Sequence, residues 1–201
     1  MKSSPDVFII ESLNFEDEEA ARGEGTFLAH ILKLAGRQHK YFYIRTRAEL
    51  EEVLDRFDDS GFRYLHISCH ADPKGIALTL DHLSLSELGR ILRPHLDNRR
   101  VFFSACELAT KQLAGQLIRG TDCYSVIAPC QAIGFDEAAL FWASLYHLMF
   151  KSDKLVMKRQ DLTRNLRALS ELFDVRVRYF SSDAATTQGF REITLGASAQ
   201  A

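Results

Sequence analysis

Short runs of β-branched and aromatic residues alternate along this chain with longer stretches in which apolar residues recur at helical period. Strands of a parallel sheet are buried on both faces, so this alternation predicts a mostly parallel sheet covered by helices. Two later segments extend the sheet: 175–180, where Val and Arg alternate as on a strand near an edge, and 190–195 as a candidate last strand. Five earlier runs have the length of buried strands: 6–12, 39–46, 63–70, 99–106 and 122–130.

Several of the intervening helices have recognisable ends. Thr26 is expected to open one helix, and Gly36 suits the left-handed residue that ends it. A further helix is expected to begin directly after Cys106, and others at about 136–149 and 162–173. Two pairs have the spacing of a capping box: Thr46 with Glu49, and Ser84 with Glu87.

The composition is that of an ordinary soluble globular protein. Apolar residues make up 46% of the 201 residues and charged residues 26%, and the formal net charge is -2. This length fits one domain, which we place at 1–196, with a disordered tail at 197–201. The small net charge gives no indication of a nucleic-acid partner.

Two absences bear on where the protein works. No apolar run approaches the roughly 20 residues of a membrane span, and the apolar stretch at 7–10 is too short for a signal peptide. We therefore expect a cytoplasmic protein with no membrane partner. The four cysteines would then lie in a reducing compartment as free thiols: Cys69, Cys106, Cys123 and Cys130.

Two reactive side chains follow neighbouring predicted strands. His70 ends the third strand and Cys106 ends the fourth. Crevices of open parallel sheets lie outside the carboxyl ends of the strands, so both side chains are expected in one crevice if a single crossover helix joins the strands. At the N-terminus of the next helix, Cys106 would be favoured as the thiolate, and His70 would accept or donate the proton.

Four segments around this pair carry a family resemblance. LHISCH contains His70, FFSACE contains Cys106, LSLSELGRIL lies between them, and VIAPCQAIGFDEAALFWASLYHLMF follows. Together they resemble the caspase-like (clan CD) cysteine peptidases, in particular the bacterial CHAT family, over roughly residues 64–150. The resemblance implies an α/β fold, a caspase-like three-layer sandwich with a mostly parallel central sheet of about six strands flanked by helices.

The same resemblance implies a function and a site. It implies an endopeptidase with a Cys-His dyad, in which Cys106 is the nucleophile and His70 the general base, and which needs no cofactor. The substrate would be a protein or peptide, cut in a bacterial stress or defence system. Backbone N–H groups of Ala71 and Cys106 are expected to bind the oxyanion, although the family commonly has Gly where Ala71 stands. Regulation would come from an activating protein partner or from the long loops.

Charged residues near the crevice bear on which substrate it takes. Glu11, Asp136 and Glu137 are acidic candidates for the pocket that holds the residue before the scissile bond, and they predict a basic residue there. Arg45 and Arg47 would instead favour an acidic residue, so the charge of the pocket stays open. The acidic run EDEE at 16–19 is interpreted as a solvated face. For Asp136, the alternative to a substrate-binding role is that of N-cap of the helix at 136–149.

Structural interpretations compete with the catalytic ones. Cys106 can be a buried thiol and His70 a hydrogen-bonded interior histidine, while His66 and Cys69 are expected in the core. Because Cys130 also ends a predicted strand, zinc bound by His70, Cys106 and Cys130 is a rival hypothesis. The missing C-x-x-C spacing and the lack of an obvious fourth ligand count against it.

Two further functions stay open from the sequence. One is a non-catalytic interaction module that keeps the caspase-like scaffold, which Ala71 favours. The other is a different thiol hydrolase on a doubly wound sheet, because one fold hosts many chemistries.

Overall fold

The computed structural model describes residues 4–152 and 155–196, so the tail predicted at 197–201 lies outside the described residues. Within these ranges the strands are β1 (Ser4–Glu11), β2 (His39–Tyr43), β3 (Phe62–Ser68), β4 (His70–Asp72), β5 (Gly75–Ala77), β6 (His82–Ser84), β7 (Arg100–Ser104), β8 (Ser125–Pro129), β9 (Val177–Ser182) and β10 (Phe190–Leu195). The helices are α1 (Phe15–Glu19), α2 (Glu24–Leu34), α3 (Arg47–Ser60), α4 (Leu85–Leu92), α5 (Lys111–Ile118), α6 (Phe135–Ser152) and α7 (Arg159–Leu172).

A central sheet of seven strands, in the order β10-β9-β8-β7-β3-β1-β2, organises the chain. The five strands from β8 to β2 run parallel to one another, whereas β9 is antiparallel to β8 and β10 to β9. The mostly parallel sheet is confirmed, with seven strands where the sequence predicts about six. The strand rich in Val and Arg is second from the edge, because the hairpin partner β10 covers it.

Helices pack on both faces of this sheet. Alternate side chains of β1 point to opposite faces, as the pleat of a strand requires. Phe8 and Ile10 pack in the core that contains the apolar residues of α3, α4 and α5. Val7 and Ile9 pack in the second core, against α2, α6 and α7. The predicted three-layer sandwich is therefore confirmed.

A small antiparallel sheet, β4-β5-β6, stands beside the carboxyl edge of the central sheet. The prediction of one strand over 63–70 is wrong at its end, because β3 stops at Ser68. The Cys69 N–H still donates to the Ser104 carbonyl at 3.2 Å, and from His70 onwards the chain pairs with Ala77 in the small sheet. His70 is thus the first residue of β4.

Two helix starts also differ from the prediction. The second helix begins at Glu24 and not at Thr26, because the Glu11 carboxylate accepts hydrogen bonds from the Gly25 and Thr26 N–H groups and caps α2 from a neighbouring strand. The helix after Cys106 begins only at Lys111, where Thr110 caps it. The cap of α2 cannot be predicted from a local sequence pattern, because its acceptor, the Glu11 carboxylate, lies on β1.

The other helix signals are confirmed. Both predicted capping boxes are present, at the starts of α3 and α4. Gly36 has a φ of +65°, the left-handed conformation expected after α2. Among the described residues, no helix is long and apolar enough to cross a membrane.

Candidate active site

Cys106 lies in a turn two residues after β7, at the carboxyl edge of the parallel strands. The expectation that it starts a helix is wrong, because Glu107 adopts a positive φ of 54° and the chain bends away. The thiol contacts the loop after β8 instead. The Ile133 N–H donates to Cys106 Sγ at 3.5 Å, and Sγ donates to the Ile133 carbonyl at 3.8 Å. These two contacts hold the thiol against the backbone of the loop, in place of the helix terminus that the sequence predicts.

His70 is held by residues of α1 and its N-cap. Its Nε2 lies 2.7 Å from Asp17 Oδ2 and 3.3 Å from Asn14 Nδ2. Asn14 Oδ1 accepts a hydrogen bond from the Asp17 N–H at 2.8 Å, which fixes the orientation of the Asn14 amide. The Phe135 ring meets the imidazole edge to face at 5.8 Å between centroids. The imidazole is therefore oriented by its neighbours while 38% of the side chain stays exposed.

The charge on Asp17 identifies which nitrogen of His70 carries the proton. Burial by itself raises the pKa of Asp17, but hydrogen bonds from His70 and Arg22 outweigh it and hold that pKa below its ordinary value. An ionised carboxylate only accepts hydrogen bonds, so the 2.7 Å contact assigns the proton of neutral His70 to Nε2. The longer contact with Asn14 Nδ2 then joins two donors and is not a hydrogen bond in this tautomer. Nδ1 then keeps the lone pair, which is the state that a general base needs.

One cavity of about 60 Å³ joins the two predicted catalytic residues. His70 and Cys106 both line it, together with Ser68, Ser104 and Glu24. These residues come from β3, β7, the start of α2 and the small sheet, so only the tertiary fold brings them together. The loop that carries Ile133, the start of α6 and Leu13 contribute further parts of the wall.

Glu24 is the carboxylate of this cavity, and the sequence reasoning missed it. It is 3% exposed, and its Oε2 accepts a hydrogen bond from Ser68 Oγ at 2.6 Å. Its Oε1 lies 3.4 Å from His66 Nε2 and has no hydrogen-bond partner in the described parts of the chain. Among the described residues that line the cavity, none is Lys or Arg, so the lining favours a cation.

Behind Glu24, His66 lies in the core as predicted. It is fully buried, its ring packs against Trp142, and Tyr146 Oη is 3.3 Å from its Nδ1. Cys69 is also a core residue as predicted, and burial raises the pKa of its thiol to about 12.

The acidic residues predicted to bind substrate lie elsewhere. Glu11 is fully buried, and its carboxylate is occupied by the N-terminus of α2 and by Tyr41 Oη at 2.7 Å. Asp136 and Glu137 are exposed in the first turn of α6 and do not line the cavity of Cys106. Asp136 is therefore inside the helix, one residue past its first residue, Phe135, and does not precede it as an N-cap.

The basic candidates are paired with carboxylates. Arg45 forms an ion pair with Glu18 at 2.7 Å, and Arg47 forms one with Glu51 at 2.9 Å. The acidic run at 16–19 is consequently not a uniform solvated face, because its two middle residues bind His70 and Arg45.

The zinc hypothesis required three ligands in one place. The Cys130 thiol donates to the Arg176 carbonyl at 3.4 Å, and Cys130 does not line the cavity of His70 and Cys106. Within 4–152 and 155–196, no three His, Cys, Asp or Glu side chains are grouped as metal ligands. The structure thus does not bring the proposed zinc ligands together.

The arrangement of the elements has counterparts among solved structures. A secreted C11 cysteine protease from Bacteroides thetaiotaomicron, "iotapain", matches 89% of this chain with a TM-score of 0.54 and 8% identity. Caspase-1 from Spodoptera frugiperda matches 97% of this chain and 86% of its own, with a TM-score of 0.56 and 13% identity. The chain has a caspase-like fold.

Further comparisons define how far this similarity extends. The C11 protease in complex with an irreversible peptide inhibitor gives a TM-score of 0.60 at 8% identity over 89% of this chain. The caspase-like chain spans 66% of the length of both C11 protease structures. No protein-family model and no curated protein sequence matches it.

Proposed function

We propose that the caspase-like domain is a cysteine peptidase in which Cys106 attacks a peptide carbonyl and His70 transfers the proton. The observation that carries this proposal is the single cavity lined by both side chains, with His70 Nε2 bound to Asp17. The fold similarity to cysteine proteases agrees with it. Membership of the CHAT family, a role in bacterial stress or defence, and a cytoplasmic location stay predictions from the sequence.

The residues of the site suit each step of acyl transfer. Nδ1 of neutral His70 accepts the thiol proton as Cys106 Sγ bonds to the carbonyl carbon, and imidazolium then protonates the leaving amine as the C–N bond breaks. Water next attacks the thioester, gives its proton to His70 and releases the carboxylic acid with the thiol restored. Asp17 stabilises the intermediate imidazolium by its negative charge, in the manner of a triad carboxylate.

Backbone N–H groups of Cys106 and Ala71 supply the oxyanion site in this proposal. The Cys106 N–H donates no hydrogen bond to any residue of the described ranges and stays available to a substrate. The Ala71 N–H belongs to β4, whose pairing with β5 holds it beside His70. Preorganised N–H groups of this kind stabilise the tetrahedral intermediate because they need no rearrangement when the charge forms.

Glu24 makes a basic residue the preferred one before the scissile bond. Its carboxylate lines the cavity next to Cys106, with Oε2 bound by Ser68 Oγ and Oε1 3.4 Å from His66 Nε2. A lysine or arginine of the substrate is attracted to an acidic side chain beside the thiol, whereas an acidic residue is repelled. In this proposal Glu24 sets the specificity, and not the residues that the sequence suggested: Glu11, Asp136 and Glu137.

The loop after β8 supports control by an activating partner. Ile133 rests on the Cys106 sulfur, and Gln131 pins the loop by hydrogen bonds to the Asp174 carbonyl at 3.0 Å and from the Arg176 N–H at 3.1 Å. A substrate carbonyl that approaches the sulfur from this side meets Ile133. A protein that loosens the Gln131 contacts would therefore open the site.

Covalent labelling tests the dyad. The purified chain is treated with acyloxymethyl ketone peptides that have Lys, Asp or Leu next to the warhead, and the modified residue is located by mass spectrometry. We expect labelling at Cys106 that is lost in Cys106→Ala and strongly reduced in His70→Ala. Labelling of Cys106 that does not depend on His70 would refute the dyad. Partner binding that survives Cys106→Ala without any cleavage would instead identify the interaction module.

A further inference from the structure

A second cavity lies at the edge of the sheet opposite the thiol. It has a volume of about 400 Å³ and is formed where β3 and β7 begin and where the antiparallel β9 ends. Arg100 opens β7 and Cys106 follows its other end, so the two sites are about 20 Å apart along the strand direction. Nothing in the proposed peptidase reaction uses this cavity.

The cavity is strongly basic. Four cationic residues line it, and no Asp or Glu is among its described lining residues: Arg63, Arg100, Lys158 and Arg159. The nearby carboxylate of Asp183 pairs with Arg191 and also attracts Arg159. The described lining itself contains cationic side chains and no carboxylate, which favours an anionic ligand.

Arg100 is the feature that points to a ligand. It is only 8% exposed, and its guanidinium donates to neutral acceptors: Ser125 Oγ at 2.5 Å, Tyr179 Oη at 3.3 Å and the Met157 carbonyl at 3.3 Å. Its Nε has no partner in the described parts of the chain. A buried cation without a carboxylate is unfavourable, because neutral dipoles only partly replace its hydration. An anion in the cavity removes that cost.

Arg159 and the helix that it opens extend the site. Arg159 is exposed at the first position of α7, where its Nη2 donates to Ser181 Oγ at 2.5 Å and its guanidinium lies over the Tyr179 ring at 6.0 Å. The side chain of the N-cap residue Lys158 makes no capping hydrogen bond to this 14-residue helix, and Asp161 in the first turn is paired with Arg164 at 2.7 Å. The first N–H groups of α7 and the positive end of its dipole therefore add to the attraction for an anion.

We propose that this cavity binds an organic phosphate, a phosphate-bearing small molecule of roughly nucleotide size. Arginine forks match phosphate oxygens in geometry, and Ser181 and Ser182 hydroxyls supply further donors. The volume lies within the range of about 300–1,000 Å³ that is usual for small-molecule sites. Tyr124, 46% exposed at the rim, offers an aromatic face for the organic part of the ligand.

Calorimetric titration of the full chain with inorganic phosphate, AMP, ADP, ATP and adenosine tests the proposal. We expect one saturable site for a nucleotide, weaker binding of inorganic phosphate and none of adenosine. Arg159→Gln should raise the Kd about 10-fold, the loss of one charge-assisted contact. Arg167→Gln, which removes an exposed arginine two turns further along α7, should leave the Kd unchanged.

Other results would overturn the assignment. The absence of saturable binding at millimolar concentrations of all four phosphate compounds refutes the site, and so does binding that Arg159→Gln does not weaken. If inorganic phosphate binds as tightly as every nucleotide, the organic part of the proposal is wrong. Arg100→Met tests the buried cation, and thermal unfolding of the same variant shows whether it folds. The test does not depend on Arg100→Met, because Arg159 is exposed and its replacement by Gln should leave the fold intact.

Discussion

Asp17 Oδ2 lies 2.7 Å from Nε2 of His70, which ties the proposed general base to a short helix that follows the first strand. The contact joins residues 53 positions apart, and the same carboxylate receives Arg22 at 2.8 Å. Asp17 is 5% exposed, so its charge acts with little screening by water. It is a positioning residue for His70 and does not itself touch the nucleophile.

Asp17→Asn should therefore lower the rate of Cys106 labelling by at least about 100-fold. Arg22 would hold the amide oxygen, so the amide NH2 group would face His70 Nε2 and disfavour the Nε2–H tautomer, and no negative charge would stabilise the imidazolium. The labelling rate is measured from pH 5 to pH 9. A structural role alone would scale the rate equally at every pH, whereas a positioning role also shifts the pH profile. Glu16→Gln changes an exposed acid of the same helix and should leave the labelling rate and its pH profile unchanged.

The lowered pKa of Asp17 also makes stability depend on pH. A carboxylate whose pKa is lower in the folded than in the unfolded chain stabilises the fold above its ordinary pKa of about 3.9, and this stabilisation is lost as the pH falls through the folded value. The free energy of unfolding of wild type should thus exceed that of Asp17→Asn at pH 7, with the difference shrinking below about pH 4. Urea unfolding at several pH values measures it. A difference that grows towards low pH would contradict the assigned charge.

Glu24→Gln should reduce labelling by the Lys probe by at least about 10-fold relative to the Leu probe, because the neutral amide no longer compensates a buried ammonium. Glu11→Gln, at an equally buried acid that caps α2, should reduce stability without altering the order of probes. Asp136→Asn and Glu137→Gln should alter neither. If Glu137→Gln removes the preference for the Lys probe and Glu24→Gln does not, the substrate pocket lies at the start of α6.

Gly75→Ala should disrupt the small sheet that begins with His70. A Cβ at Gly75 would stand 2.0 Å from the Leu83 carbonyl oxygen, a backbone atom that can move only if β5 and β6 separate. We expect a loss of Cys106 labelling together with a lower melting temperature. Gly115→Ala is the matched control, since nothing lies within 4 Å of the added Cβ and alanine favours the helix by up to about 1 kcal/mol. Unchanged labelling in Gly75→Ala would show that β4 does not position His70.

The four thiols should differ in reactivity. Burial raises the pKa values of Cys69 and Cys123 to about 12, so only about 10⁻⁴ of either is thiolate at pH 8. Iodoacetamide should modify the partly exposed Cys106 and Cys130 in the native protein, and all four thiols in denaturant. Peptide mapping after timed quenching measures each site. Native modification of Cys69 at a rate similar to that of Cys106 would contradict the described burial.

Much of the architecture follows from local patterns in the sequence. The runs of apolar β-branched residues identify buried strands because a parallel sheet is covered on both faces, and capping boxes mark α3 and α4 because their donors and acceptors lie within four residues. The sequence also predicts that His70 and Cys106 share one crevice, because they stand at the ends of two predicted neighbouring strands, and β3 and β7 do pair in parallel.

What only the tertiary structure decided depends on contacts between distant segments. Asn14 and Asp17 have the spacing of an N-cap pair, yet nothing local shows that this acid binds His70, and a charge run is usually solvated. The sequence around Glu24, which lies between two glycines, does not indicate that this residue lines the cavity of Cys106. Likewise, the sequence does not show that the Glu11 carboxylate accepts hydrogen bonds from the start of α2 and is therefore not open to a substrate. A sequence shows which side chains can carry charge, but whether a charge is buried, paired or open to a ligand is decided by what packs against it.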